Sequence, residues 1–381
     1  MVDEDEQEEF VTDAGPSLSA RVGLVATGTF DDPTGIGTYT RQLSMRLPGR
    51  VDDFVCVRDE KDDSPEFLSG TLVLPRSMRL GLIRRIAAPF YMAWKGFDLL
   101  HFPSEPDLYL LRSGRARIVV TIHGLASIRL PAELHEKLPR RAQIKYRHLL
   151  EASDHIITVS ESSKRDIIDV YGVPTEKITV VYNGIDEVFN LEADELPQID
   201  AGDRPYLLSV CALLAKKNVR AIVLALAALK ERGLPHRLVH IGPPGPAQEA
   251  IEAEVRRFNL RNDVEFKGYV SKDELAAYYH SADALLFPSF HEGFGIPIVE
   301  AMASGCPVVT STAFSMPEIA GDAALLVDPY NVESLISVTH RLLTNRSLRQ
   351  EMVELGLQRA RRFSWNRCAD ETVAVYRDVL K

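Results

Sequence analysis

Short apolar runs recur along the chain, and most are followed by a turn and then by a stretch with the periodicity of an amphipathic helix. The runs are rich in β-branched residues, which is typical of strands. They fall at residues 21–26, 54–57, 71–74, 99–102, 118–122, 206–210, 238–242, 284–288 and 306–310. Because strands that alternate with helices pair in parallel, the pattern predicts an α/β fold built on parallel sheets.

The stretch between the last two runs carries the strongest local signals. Pro297 suits a first helical position, residues 301–303 favour helix, and Gly305 suits the left-handed residue that follows a helix. Such a strand, glycine loop and helix point backbone N–H groups into the crevice at the strand's carboxyl end, where the helix N-terminus adds about half a positive charge. We expect an anion to bind there, and a purely structural turn is the alternative.

Two carboxylates stand at this loop with seven residues between them. Glu292 is at the strand exit, where its side chain can hydrogen-bond a sugar hydroxyl held next to a phosphate. Glu300 lies in the first half of the helix and can accept hydrogen bonds from the hydroxyls of a ribose. The alternative for Glu300 is a solvated helix face, because Ile298, Val299 and Met302 turn to the other side.

The string EGFGIPIVE, followed by AMASGCPVV and PEIAGDAALLVDP, resembles the donor-sugar signature of the family 4 retaining glycosyltransferases. The resemblance implies the GT-B architecture, in which two Rossmann-like, doubly wound domains face each other across a cleft. It also implies that Glu292 contacts the transferred sugar and that Glu300 contacts the nucleotide ribose. The backbone of Gly293, Phe294 and Gly295 would support the donor diphosphate.

The first half of the chain contributes a glycine turn and a histidine. The turn before the first predicted helix contains Gly35 and Gly37, but Thr40 stands where a dinucleotide-binding fingerprint needs a third glycine. In the family, a similar turn approaches the acceptor and the donor phosphates through backbone N–H groups. The context of His123, at the end of a predicted strand, resembles the acceptor-side histidine that helps to place the transferred sugar, although a lone histidine is usually structural.

A lysine pair follows the first strand of the second half. In the family, this loop holds the diphosphate, commonly with a glycine after the strand and Arg-Lys before Asn. This chain has Cys211 at the glycine position, Lys216 at the Arg position and Lys217 at the Lys position. The resemblance implies that both lysines bind the donor phosphates, and the alternative is a solvated pair of surface lysines. Because Cys211 replaces the glycine, the sequence does not determine the backbone path of this loop. The segment ending at Val270 would place backbone groups against the nucleotide base.

With 381 residues the chain is long enough for two domains of ordinary size. The net charge of the chain is −10, and the first ten residues contribute most of it, because they contain six acidic residues and no basic residue. Such a segment is typical of a solvated, disordered tail. Asp-Glu-Asp at 3–5 matches a metal-binding DxD motif, which we interpret as coincidence because no strand precedes it. We expect a tail at 1–18, an acceptor domain at 19–185 and a donor domain at 186–362. By resemblance, a last helix at 363–381 crosses back to the first domain.

The composition favours a soluble enzyme in a reducing compartment. The longest apolar run, 221–229, is far shorter than the about 20 residues that span a bilayer, the N-terminus is not signal-like, and the four cysteines lack metal or redox spacing. We expect a cytoplasmic protein that does not bind nucleic acid. Basic amphipathic stretches at 76–95 and 137–150 leave peripheral contact with an anionic membrane as an alternative to packed helices with solvated basic faces.

The resemblance implies transfer of a hexose, with retention of configuration, from a nucleotide diphosphate sugar to a hydroxyl of a glycan or lipid-linked acceptor. Mannose is favoured, and glucose or another hexose is the alternative. His123, Glu292 and Lys217 are the predicted catalytic residues, and neither a metal nor a cofactor is expected, because lysines and backbone N–H groups would stabilise the leaving diphosphate. An NAD(P)-dependent oxidoreductase, which the broken fingerprint argues against, and a noncatalytic sugar-nucleotide-binding partner are the competing classes.

Overall fold

Two parallel β-sheets, one from each half of the chain, form the centre of the structure. The computed structural model describes residues 16–27, 29, 34–59, 70–74, 94–104, 115–200 and 202–381. The first sheet has the order β3-β2-β1-β4-β5-β6-β7, with strands β1 Leu18–Val25, β2 Val51–Asp59, β3 Thr71–Leu74, β4 Leu99–Phe102, β5 Arg117–Ile122, β6 His155–Thr158 and β7 Ile178–Val180. The second has the order β10-β9-β8-β11-β12-β13, with strands β8 Tyr206–Val210, β9 Arg237–Ile241, β10 Val264–Gly268, β11 Ala284–Phe287, β12 Val308–Ser311 and β13 Leu325–Val327.

The strand order of each sheet reverses beside its first strand. β1 lies between β2 and β4, β8 lies between β9 and β11, and these pairings are parallel. In such doubly wound sheets, ligands bind in the crevice at the carboxyl ends of the strands where the order reverses. The predicted α/β fold with two Rossmann-like units is confirmed.

Helices connect the strands and cover both faces of the sheets. Those of the first half are α1 Gly35–Arg46, α2 Ala126–Arg129, α3 Arg140–Ala152 and α4 Glu161–Tyr171. Those of the second half are α5 Val219–Glu231, α6 Gln248–Arg257, α7 Lys272–Ser281, α8 Ile296–Ala303, α9 Met316–Ala320, α10 Val332–Thr344, α11 Arg346–Ala360 and α12 Trp365–Leu380. None of the described helices is both long and apolar enough to cross a membrane.

The apolar runs of the sequence form the strands of the two sheets, and several inner strands are buried on both faces. β3 and β4 coincide with the runs at 71–74 and 99–102, and every residue of β4, β11 and β12 is buried. Because neighbouring residues of a strand point to opposite faces, Val119 packs in one hydrophobic cluster of the first sheet and Val120 packs in the other. The second sheet has two clusters in the same way.

The last helix packs on the first sheet although it follows the second in sequence. α12 contacts α1 and β5, and its Trp365 and Tyr376 lie in the hydrophobic cluster on one face of the first sheet. The chain passes between the two halves twice at one place, where a Cβ atom on Gly184 would lie 2.0 Å from the backbone nitrogen of Trp365. Only glycine fits such an approach, so this position joins the halves through adjacent backbone segments.

The two predicted basic stretches have different outcomes. Most of the stretch at 76–95 lies outside the described residues, as does the acidic tail as far as residue 15. The second stretch contains α3, which buries Tyr146, Leu149 and Leu150. Its exposed residues include Arg140, Arg141, Ile144 and Lys145. α3 is therefore a packed helix with a basic face towards solvent.

Candidate active site

A glycine-rich loop at the carboxyl end of β11 forms the centre of the candidate site. This segment, residues 288–295, is called the glycine loop below and leads into α8. Pro297 lies in the first turn of α8, and Gly305, with φ of 68°, follows its end, as the sequence predicts. Since β11 is the neighbour of β8, the loop borders the crevice where the strand order reverses.

Serine hydroxyls bind three successive carbonyl oxygens of the glycine loop. Ser315 Oγ lies 2.9 Å from the carbonyl oxygen of Glu292 and 3.1 Å from that of Phe294, while Ser160 Oγ donates to the Gly293 carbonyl at 2.6 Å. The N–H groups of Gly293 and Phe294 make no hydrogen bond to another described residue. The loop therefore presents unpaired backbone donors, which is the requirement for binding a phosphate.

Glu292 and Lys217 form an ion pair beside these donors. Lys217 Nζ donates to Glu292 Oε1 at 2.6 Å, and the two side chains are only 16% and 11% exposed. Burial by itself would raise the pKa of Glu292, but the charges of Lys217 and Lys216 lower it below its ordinary value. At Lys217 the carboxylate outweighs burial and raises the pKa. Both groups are therefore charged at neutral pH.

Lys216 precedes this pair in a 3-10 turn, Ala215–Lys217, that follows β8. The residue is half-buried, and burial lowers the pKa of its ammonium group. The N–H of Phe290 donates to the Lys216 carbonyl at 2.8 Å, so the turn is tied directly to the glycine loop. The two lysines thus pack against the loop rather than standing in solvent.

Asn218 and Cys211 lie on either side of the lysine turn. Asn218 adopts the left-handed conformation and donates from Nδ2 to the carbonyl oxygens of Pro288, at 3.1 Å, and Pro329, at 2.8 Å. It therefore anchors the turn to the loops after two other strands. Burial raises the pKa of the Cys211 thiol to about 12, so the thiol is uncharged at neutral pH. With Cys211 in place of glycine, the turn still brings Lys217 to Glu292.

Glu300 is half-buried on α8 and does not lie on a solvated face. The Tyr279 hydroxyl donates to Glu300 Oε2 at 3.1 Å. Burial raises the pKa of Glu300 to about 7, and the charge of Asp186 adds to this shift. A hydroxyl that donated to this carboxyl would stabilise its ionised form, so the group is suited to bind a sugar hydroxyl.

His123 follows β5 and meets the glycine loop from the first sheet. Its Nε2 lies 2.7 Å from the carbonyl oxygen of Pro103, and its ring makes an edge contact with Tyr39 at 4.9 Å between centroids. A Cβ atom on Gly293 would lie 1.6 Å from the His123 carbonyl oxygen, so only glycine fits there. The structure therefore brings His123 against the residue that follows Glu292.

Gly35 and Gly37 lie in a helix, so the prediction of a glycine turn at these positions is wrong. α1 begins at Gly35 because the Thr34 side chain accepts a hydrogen bond from the N–H of Ile36 and caps the helix. Gly35 still faces the second half, since a Cβ atom there would lie 3.1 Å from Ile296 Cδ1. The first N–H groups of a helix have no partner within the helix, so this segment can still offer backbone donors.

The segment after β10 carries Val270, whose backbone is predicted to lie against the nucleotide base. Val270 is half-buried, two residues beyond β10, the edge strand of the second sheet. It shares the carboxyl edge of that sheet with the glycine loop, and its contact with a base stays a prediction.

Among the described residues, no group of three or more His, Cys, Asp or Glu side chains is placed to hold a metal ion. The positive charge at the glycine loop comes from Lys216 and Lys217.

Three residues that shape the site were not predicted from the sequence. Ser315 and Asn218 bind backbone carbonyl oxygens around the glycine loop, and Tyr279 binds Glu300. Serine and asparagine side chains near strand ends commonly hydrogen-bond to nearby backbone groups, so their residue types were a weak indication of this role. Which carbonyl each would reach depends on the packing of segments that are distant in sequence.

Two family models match the chain. The one described as "Glycosyl transferases group 1" matches residues 193–359, and the one described as "Glycosyltransferase Family 4" matches residues 33–189. The chain is similar to O-antigen chain mannosyltransferase B of Escherichia coli, with 29% identity over 90% of this chain and 96% of that protein. It is also similar to the MMP alpha-(1->4)-mannosyltransferase of Mycolicibacterium hassiacum, with 34% identity over 59% of this chain and 54% of that protein.

Solved structures show the same fold. The crystal structure of Anabaena HepE in complex with UDP-glucose superposes with a TM-score of 0.75, covering 94% of this chain and 100% of that chain at 16% sequence identity. At this identity the likeness concerns the arrangement of the two parallel sheets.

Proposed function

The chain belongs to the family 4 glycosyltransferases, and from this membership we propose that it transfers a hexose from a nucleotide diphosphate sugar to a hydroxyl of a glycan or lipid-linked acceptor, with the anomeric configuration retained. Mannose is the favoured hexose, because the two relatives described above are named mannosyltransferases. Glucose is the second candidate, since the structural neighbour HepE was crystallised with UDP-glucose.

The observation that carries the proposal is the buried ion pair beside unpaired backbone donors. Lys217 Nζ, 2.6 Å from the Glu292 carboxylate, stands where a sugar bound to Glu292 and its phosphate would meet. Lys216 and the N–H groups of Phe294 and Gly295 supply further positive potential for the diphosphate. The ribose hydroxyls would donate to Glu300, and the backbone around Val270 would contact the base. The family resemblance and this geometry together support these roles.

In the proposed reaction, the acceptor oxygen attacks the anomeric carbon on the face from which the diphosphate leaves. The bond between the anomeric carbon and the phosphate oxygen breaks, the new glycosidic bond forms, and the departing phosphate takes the acceptor's proton. Negative charge grows on the leaving group, and Lys217, Lys216 and the loop N–H groups stabilise it because they are already oriented towards it. No metal is needed for this charge stabilisation.

The acceptor would approach from the first half of the chain. His123 contacts the back of the glycine loop through its carbonyl, so its position helps to place the transferred sugar relative to Glu292. The first turn of α1, with Gly35 and Gly37, belongs to the same half, and its first N–H groups have no partner within the helix. For a lipid-linked acceptor, the exposed basic face of α3 would contact an anionic membrane surface, a contact that cosedimentation with phosphatidylglycerol vesicles at low and high salt would test.

Product analysis with a panel of donors tests the proposed function. The purified chain would be incubated with GDP-mannose, UDP-glucose, UDP-galactose and NADH, with and without simple mannoside acceptors, and the products would be identified by mass spectrometry and proton NMR. We expect release of a nucleoside diphosphate and, with an acceptor, an α-linked product from an α-linked donor. The Lys217→Ala variant should lose this activity. Lys230→Ala is the matched control, because Lys230 binds Asp263 at 2.7 Å while Asp263 keeps Arg204 as a second partner.

Each outcome of that experiment decides between classes. Binding of a nucleotide sugar without turnover would indicate the noncatalytic partner and contradict the enzyme. A β-linked product from an α-linked donor would contradict retention. Oxidation of NADH with no use of any sugar donor would contradict the whole proposal.

A further inference from the structure

The start of α4, in the first half of the chain, makes polar contacts with the second half directly behind the glycine loop. Ser160 is the N-cap of α4, because its Oγ accepts a hydrogen bond from the N–H of Ser163 at 3.0 Å. The same Oγ donates to the Gly293 carbonyl at 2.6 Å. Ser160 is completely buried, so this contact is shielded from solvent. One carbonyl of the glycine loop is thus held by the other half of the molecule.

A carboxylate of the second half binds the same helix end. Glu318 of α9 accepts hydrogen bonds from the N–H of Glu161, at 2.7 Å, and from that of Ser162, at 3.0 Å. A negative charge at a helix N-terminus is favourable because the first N–H groups have no partner within the helix. Arg359 binds the carbonyl oxygens of Glu318 and Ile319 and holds α9 in place. Glu318 therefore links α4 to the element that carries Ser315.

A third contact lies one turn further along α4. Asp166 is buried, and its Oδ2 lies 3.5 Å from Nε2 of His291, the residue immediately before Glu292. Its other oxygen is held by Arg129 at 2.8 Å. All three contacts join one face of α4 to residues within the glycine loop or just behind it.

We propose that Ser160 and Glu318 are positioning residues that complete the donor site only when the two halves are closed. Ser315 binds the carbonyl groups on either side of Gly293 from within the second half, but the Gly293 carbonyl itself has serine partners only from α4. When the halves separate, that carbonyl is released and the peptide between Gly293 and Phe294 can rotate. The Phe294 N–H, part of the same peptide plane, then no longer points where the diphosphate binds. This inference rests on the proposed function for the identity of the ligand.

The coupling also works in the other direction. A diphosphate that binds the loop N–H groups favours the peptide orientation that Ser160 recognises, so donor binding and closure stabilise each other. The effect is expected to be about tenfold on the dissociation constant, because a hydrogen bond to a charged group is of this order and each tenfold corresponds to about 1.4 kcal/mol. In the proposed closed state, neither Ser160 nor Glu318 contacts the donor itself.

Two variants test the proposal without removing a ligand contact. Glu318→Gln keeps the size of the side chain and removes the charge that two N–H groups share. Ser160→Gly/Ser163→Ala removes both hydroxyls that donate to the Gly293 carbonyl, at 2.6 and 3.3 Å, and glycine remains an acceptable N-cap residue. Asp154→Asn is the matched control, because Asp154 also accepts a backbone hydrogen bond, from the N–H of Ile118 at 2.8 Å, but within its own half of the chain.

The measurements are calorimetric titration with GDP and UDP, steady-state kinetics, small-angle X-ray scattering of the unliganded and nucleotide-saturated protein, and thermal unfolding. Both test variants should bind the nucleoside diphosphate about tenfold more weakly than wild type. They should raise the donor KM more than the acceptor KM, and show a larger radius of gyration that returns to the wild-type value at saturation. Asp154→Asn should match wild type in binding and in radius of gyration.

The results separate this proposal from the proposed function. If wild type binds no nucleoside diphosphate, the donor assignment fails, and the unliganded radius of gyration still decides whether Ser160 and Glu318 hold the halves together. An unchanged radius of gyration together with a dissociation constant within about twofold of wild type would overturn the proposal. Weaker binding accompanied by loss of cooperative unfolding, or an equal effect in Asp154→Asn, would show a merely structural role and would overturn it as well.

Discussion

Removing the Lys217 ammonium tests the centre of the site most directly. In Lys217→Ala the leaving diphosphate loses a cation that lies 2.6 Å from Glu292 and is only 16% exposed. Because negative charge on the diphosphate is largest while the glycosidic bond breaks, we expect kcat to fall and the donor KM to rise. Loss of one preorganised donor of this kind costs about 2.7 to 4 kcal/mol, which is about a hundredfold to a thousandfold in kcat.

The same substitution affects stability, because it leaves the Glu292 carboxylate without its partner. Burial raises the pKa of Glu292 and the largest charge that lowers it is removed, so its pKa will rise. Leaving a largely buried carboxylate without its ion-pair partner costs about 3 to 5 kcal/mol. For domains of this size, Tm falls by about 2 to 4 °C per kcal/mol. A moderate loss of Tm should therefore accompany the large loss of kcat.

A double variant separates the two effects. In Lys217→Ala/Glu292→Gln no charge is left unpaired, so Tm should recover towards wild type while kcat stays low. Steady-state kinetics with the identified donor, circular dichroism and the control Lys230→Ala complete the assay. The reasoning is refuted if Lys217→Ala keeps kcat within about threefold of wild type, or if the double variant recovers activity together with stability.

Three further predictions concern other parts of the site. The affinity for a nucleoside diphosphate should increase as pH rises through about 7, where Glu300 ionises. Stability without ligand should fall as pH rises from the ordinary pKa of Glu to about 7, because in that range the folded state binds a proton that the unfolded state has lost; a Glu300→Gln variant that keeps the pH dependence in calorimetry would contradict this. Gly293→Ala should abolish turnover but leave two folded halves, since the added Cβ would lie 1.6 Å from the His123 carbonyl oxygen; wild-type kcat in this variant would exclude the close approach. Activity should survive exhaustive treatment with EDTA, because lysines and backbone N–H groups supply the positive charge; loss of turnover that Mn²⁺ or Mg²⁺ restores would contradict that assignment.

The order and type of the elements were accessible from the sequence because they depend on local pattern. Strands buried on both faces appear as continuous apolar runs, so 99–102 could be placed to the residue. The edge strand at 71–74 also coincides with its run, although Thr71 and Val73 are exposed. Pro297 and Gly305 mark the ends of α8 by their own backbone preferences. The prediction failed at Gly35, where the cap on Thr34 starts the helix earlier than a glycine-rich stretch suggests.

The candidate site could be assigned residue by residue only through a resemblance, and its physical state came from the fold. Glu292, Glu300 and Lys217 were named from their positions in a motif. That Glu292 and Lys217 form an ion pair depends on β8 and β11 being neighbours although the residues are 75 positions apart. Burial of Glu300 against Tyr279 depends on how α7 packs on α8, and it changes the expected charge of that carboxyl at neutral pH.

The contacts across the cleft were the least predictable from sequence. Ser160 and Gly293 are 133 positions apart, and the contact of Glu318 with the start of α4 also joins different sheets. No local periodicity encodes such pairs, since each residue satisfies an ordinary local rule, as a helix cap, a loop glycine or an acid in the first turn of a helix. The sequence determines two doubly wound halves and the chemistry at their carboxyl edges. Only the packing of the halves against each other decides which backbone groups remain free to bind a ligand. A hydrogen bond to a loop carbonyl fixes the orientation of its peptide plane, and thereby the direction of the N–H of the following residue.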